Sequence, residues 1–77
     1  MQVNVLFFGM AAEAVGKKNA AVSGVSDTDS LKSALLSDFP ALRNFNFALA
    51  VEKRITTTNT KLKTGDTIAV LPPFSGG

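Results

Sequence analysis

The chain has 77 residues, of which 45% are hydrophobic and 18% charged, a composition that fits one folded domain around one small core. It contains no cysteine and no histidine, which excludes disulfides, thiolate or imidazole metal sites, and Cys-His or Ser-His-Asp catalysis. Eight Lys/Arg against six Asp/Glu leave a net charge of +2, with no basic run longer than two residues, too sparse for a nucleic-acid surface.

The first segment, Gln2 to Phe8, alternates with Val3, Val5 and Phe7 on one side and Asn4, Leu6 and Phe8 on the other, the period of a strand. No basic residues precede it as in a signal peptide, and no stretch reaches the ~20 apolar residues of a membrane span. The expectation is a cytoplasmic protein with no membrane and no nucleic-acid partner. Gly9 breaks the strand. Met10 to Val15 forms a short helical turn closed by Gly16, and Asn19 to Val25 reads as a second, weaker strand.

SDTDSLKSALLSDFP carries the main helix signal. Asp27 or Thr28 serves as N-cap and Asp29 lies in the first turn, where the helix dipole favours an acid. Leu31, Ala34, Leu35 and Phe39 share a face, and Pro40 ends the helix near Phe39. Phe47 to Glu52 alternates as a strand, Thr56 to Lys63 is polar, Thr64-Gly65-Asp66 marks a turn, and Thr67 to Leu71 is the last strand. The order predicts an α+β roll: a mixed four- to five-stranded sheet on one main helix with a short second helix, its first and last strands parallel in the middle.

Two features stand outside that scheme. If Val3, Val5, Phe7, Ile68 and Val70 face the helix, then Leu6, Phe8 and Leu71 point onto the uncovered face, where polar residues are expected. Ile55 joins them from the neighbouring strand. Such a patch is either a partner surface or the floor beneath a loop. The second feature is the sequence VLPPFSGG, Val70 to Gly77. Leu71 before proline is held extended, Pro72 and Pro73 continue in a polyproline-like path, and the two glycines let backbone enter a channel too narrow for a Cβ. A Gly77 carboxylate becomes a competent acyl donor only after adenylation. The tail is therefore either an inert end or a substrate.

VLFFG (Val5 to Gly9), AEAVG (Ala12 to Gly16), the Leu31–Leu35 helix followed by Pro40, LAV (Leu49 to Val51), LKTGDTIAVLPP (Leu62 to Pro73) and the final SGG make the chain resemble the small, sulfur-carrying subunit of molybdopterin synthase. That family has a ubiquitin-like β-grasp fold. The resemblance implies a β-grasp domain over 1–71 and an extended tail over 72–77. It implies that Gly76 and Gly77 are the reactive end, that an E1-like enzyme adenylates Gly77 with ATP, and that a sulfur-donating enzyme supplies a thiocarboxylate. The tail segment Pro72, Pro73, Phe74 and Ser75 would then insert into the large catalytic subunit of a heterotetrameric synthase. There the thiocarboxylate would give its sulfur to cyclic pyranopterin monophosphate in molybdenum cofactor biosynthesis. Phe8, Ile55, Leu71 and Leu6 would face the partner. No cofactor or metal would be bound, ATP being used in trans, and the chain would have no complete active site of its own.

The chain departs from the family pattern at Ala12, Glu52 and Phe74, where members often carry a basic residue, an asparagine and a small side chain. Two neighbouring readings use the same tail. One is a sulfur carrier of a thiamine or other thiolation pathway. The other is a ubiquitin-like modifier whose Gly77 is captured by an amine. A plain interaction module with an inert tail is the remaining alternative.

Overall fold

The computed structural model describes residues 2–72. Its elements are β1 (Gln2–Phe7), α1 (Gly9–Val15), β2 (Asn19–Ser23), α2 (Thr28–Asp38), a 3-10 turn (Pro40–Asn44), β3 (Ala48–Val51), β4 (Arg54–Thr56) and β5 (Thr67–Leu71). The five strands form one sheet in the order β2-β1-β5-β3-β4. β1 and β5 run parallel at its centre, and every other neighbouring pair is antiparallel.

The alternation of β1 places Val3, Val5 and Phe7 in the core, joined by Ile68 and Val70 from β5. Leu31 and Leu35 of α2 close the other side, both fully buried. Taking such a side chain out of water stabilises the fold by about 1.5–3 kcal/mol each. Phe39 meets Phe7 edge to face, with ring centroids 5.5 Å apart.

Helix α2 starts where its orphan amides find oxygens. Asp27 is the N-cap: its Oδ1 accepts from the Ser30 amide at 2.8 Å, and Ser30 Oγ accepts from the Asp27 amide at 3.2 Å. Asn59, from the loop after β4, adds a second clamp. Its Oδ1 accepts from the Asp29 amide at 2.9 Å and its Nδ2 donates to Asp27 Oδ2 at 3.2 Å. Thr28, buried, exchanges backbone and side-chain hydrogen bonds with Thr60 at 2.8 and 2.9 Å. The helix stops at Phe39, ahead of Pro40, as its sequence requires.

Several expectations need correction. The strand expected to reach Glu52 ends at Val51, because Glu52 and Lys53 form a two-residue turn with φ of 47° and 73°. Ile55 is the middle residue of a short edge strand, β4. The second strand ends at Ser23, and Val25 reaches the core from the following loop. The segment read as polar contains Leu62, 5% exposed, and the link after Pro40 is a 3-10 turn that buries Leu42 completely.

Candidate functional site

The register assembles the open face of the sheet in rows. Asn19 pairs with Leu6, Leu6 with Ala69, Ala69 with Ala50, and Ala50 with Ile55, so one row crosses all five strands. Cross-strand neighbours share a face, and all of these lie opposite the helix-facing set. The next row pairs Leu71 with Ala48, and Phe8 stands one residue beyond the end of β1 beside them.

The four residues expected at a partner surface are thereby brought together. Ile55 is 61% exposed and Phe8 47%, while Leu6 and Leu71 are half-buried. Among the described residues no loop covers them. Small side chains at Ala50 and Ala69 leave a shallow groove of about 310 Å³ between the taller Leu6 and Phe8 and the Glu52–Lys53 turn. Sequence reasoning missed these alanines. Their signal is weak: a small residue on an uncovered face becomes meaningful only once the pairing partners are known. Met10, also 47% exposed, is a third large apolar side chain on the surface that was assigned no role.

β5 carries the chain to the edge of this face. Leu71 belongs to the apolar row and Pro72 follows directly, half-buried. The tail residues Pro73, Phe74, Ser75, Gly76 and Gly77, expected to insert and react, lie outside the described residues. At the root of the tail, Gly9 adopts φ +53°, and a Cβ built on it would stand 3.2 Å from Pro72 Cγ.

Asp27 is the only group among the described residues with a clear shift, held below the usual carboxylate value of 3.8 by the Ser30 side chain and amide and then by Asn59, which is its capping role. Among the described residues no three His, Cys, Asp or Glu side chains gather as a metal site. No helix among them is long and apolar enough to cross a membrane. What the surface offers is an exposed apolar face contiguous, through Leu71, with Pro72.

A five-stranded mixed sheet with parallel central strands, grasping one long helix, defines a ubiquitin-like β-grasp protein. Residues 5–77 match the ThiS family, and the chain belongs to it. It is similar to the molybdopterin synthase sulfur carrier subunits of Caenorhabditis elegans (34% identical, 100% of this chain and 99% of the relative covered) and Mycobacterium tuberculosis (32%, 100% and 99%). Among solved structures, it is similar to a chain of the complex of subunits 1 and 2 of molybdopterin-converting factor from Helicobacter pylori. That likeness has a TM-score of 0.74 at 32% identity and covers 100% of both chains. The small archaeal modifier protein 1 of Methanosarcina acetivorans superposes with a TM-score of 0.85 at 25% identity, over 99% of this chain and 96% of that one.

Proposed function

We propose that this chain is the sulfur-carrier subunit of a molybdopterin synthase, with residues 1–71 as the docking domain and 72–77 as the working tail. The observation that carries this reading is the continuity of the open apolar face with the tail root through Leu71 and Pro72. A partner seated on Leu6, Phe8, Ile55 and Leu71 would receive the tail in a fixed direction. The relatives named for this role cover the whole chain, and the solved Helicobacter pylori structure is a complex of two subunits.

In this reading a Gly77 carboxylate oxygen attacks the α-phosphorus of ATP on an E1-like enzyme, and pyrophosphate leaves. The terminal sulfur of a persulfide on a sulfur-donating enzyme then attacks the acyl carbon and AMP leaves; a thiol attacks the resulting acyl disulfide, releasing the thiocarboxylate and forming a new disulfide with the donor's sulfur. The thiocarboxylate sulfur attacks a carbon of cyclic pyranopterin monophosphate in the large catalytic subunit, forming a C–S bond as the C–O bond at that carbon breaks and the phosphate oxygen leaves with its electron pair. Water cleaves the resulting thioester and returns the Gly77 carboxylate. Gly76 and Gly77 let the backbone pass where a Cβ would not, and Pro72 to Ser75 span the channel. The activating enzyme and the large subunit use the same face at different stages.

Intact-protein mass spectrometry after incubation with ATP, the host's activating enzyme and a sulfur donor tests this. The expected result is exchange of one oxygen for sulfur at Gly77, abolished by deleting Gly76 and Gly77. An unchanged mass, with an enzyme that charges another carrier, refutes it. The likeness to the archaeal modifier protein favours one second reading, in which a lysine amine captures the adenylated Gly77. An adduct on lysines of other proteins, in place of the sulfur exchange, would identify it.

A further inference from the structure

The parallel register of β1 and β5 pairs Phe7 with Val70, and two more residues on each chain, past Phe8 and Leu71, reach Gly9 and Pro72. At that point the two chains diverge. β1 turns into α1 through Gly9 at φ +53°, with the Ala11 amide donating to the Phe8 carbonyl at 3.0 Å. β5 continues outward through Pro72, whose missing N–H leaves no ladder donor unpaired.

The Pro72 ring lies over the one position at this divergence that has no side chain. A Cβ on Gly9 would stand 3.2 Å from Pro72 Cγ, tighter than ordinary contact by a few tenths of an ångström. Gly16, Gly24 and Gly65 also have positive φ, yet a Cβ on any of them meets nothing within 4 Å. Backbone conformation explains a glycine at all four positions. Only at Gly9 does a contact with the tail root add a second reason.

We infer that Gly9 is a positioning residue for the tail: its bare backbone is the seat that sets the direction in which Pro72 leaves the sheet. The inference rests on the carrier reading above and adds to it the element that aims the reactive end. A push of ~0.4 Å at Pro72, across one Cα–Cα step of about 3.8 Å, is a tilt of ~6°. For residues 73–77 extended in a partner's channel at ~3.1 Å each, that tilt moves the far end by ~1.6 Å. A displacement of about 1 Å at a reacting group can cost about 100-fold in rate.

The test compares Gly9→Asn with Gly16→Asn as substrates of the host's ATP-dependent activating enzyme, scored by thiocarboxylate formation on the full chain. Asparagine tolerates the left-handed backbone better than other residues with a Cβ, so both variants keep strain low while only the first crowds Pro72. Gly9→Asn should lose about 10- to 100-fold in kcat. Its KM should stay within about twofold, because the docking face is untouched. Gly16→Asn should match the wild type. Measured against a Pro72→Ala single variant, Gly9→Asn should cost far less kcat than in the parent, because the crowding ring is gone, whereas strain alone would leave the two changes additive.

Equal kcat for the two glycine variants, or a defect that Pro72→Ala does not relieve, overturns the inference while leaving the carrier reading standing. Should Gly9→Asn fail to fold, Pro72→Val in the Gly9 background is the second variant. Its branched side chain occupies the same seat with a different shape, and an unchanged kcat there overturns the inference. If the wild type itself is never charged, the carrier reading fails and the positioning role falls with it.

Discussion

The β3–β4 turn stores strain that substitution should release. Val51 and Arg54 pair directly, so Glu52 and Lys53 are the two central residues of the hairpin, both at positive φ (47° and 73°). That geometry belongs to Asn-Gly, because side chains with a Cβ meet the following carbonyl there. Left-handed backbone costs roughly 1–2 kcal/mol per ordinary L-residue. Asparagine at 52 recovers part of this. Glycine at 53 recovers nearly all of its share but gives back about 0.5–1 kcal/mol through the freer unfolded chain. The pair Glu52→Asn with Lys53→Gly should therefore stabilise the domain by about 1 kcal/mol, raising Tm by about 4–8 °C for a chain of this size. Thermal unfolding followed by circular dichroism, with urea titration as a second measure, reads the change. A Tm equal to or below that of the parent would show that the turn is not strained. Both residues also border the groove on the open face.

Ile55→Asp and Phe8→Asp should leave Tm within a few degrees, since both side chains are largely exposed. Each should weaken binding to the large subunit by about 10- to 150-fold in calorimetry, the equivalent of about 1.5–3 kcal/mol of apolar burial. Asp27 should titrate by NMR below the ordinary value of 3.8, and Asn59→Ala should move it back upward. Because its folded pKa is depressed, its contribution to stability is full above that ordinary value and is lost as pH falls through the depressed one. Asn59→Ala should accordingly soften the loss of stability on acidification.

The two central strands and α2 were legible because local signals agree there. β1 alternates cleanly, and α2 has its cap, its acid in the first turn, its apolar face and its terminating proline in one stretch of sequence. The apolar face was visible from parity alone, since Leu6, Phe8 and Leu71 fall opposite the core set. What escaped depends on partners distant in the chain. Leu42 and Leu62 are single apolar residues in polar surroundings, and only the packed fold shows that they are core. β4 is three residues long, too short for a periodicity. Asn59 reads as loop, and nothing near it in sequence announces that it clamps a helix thirty residues earlier. The groove over Ala50 and Ala69, and the approach of Pro72 to Gly9, exist only through strand register.

The placement of β5 between β1 and β3 also decides how the molecule bears load. A partner drawing on the tail pulls β5 along its own axis. The ladders on both sides then resist in shear, with their hydrogen bonds loaded together instead of one after another. Unzipping would be the weak mode, and it is closed to a strand held on two sides. On the proposed carrier reading, a partner that grips the end of this chain therefore loads a strand the sheet holds on both sides, and the domain resists unravelling.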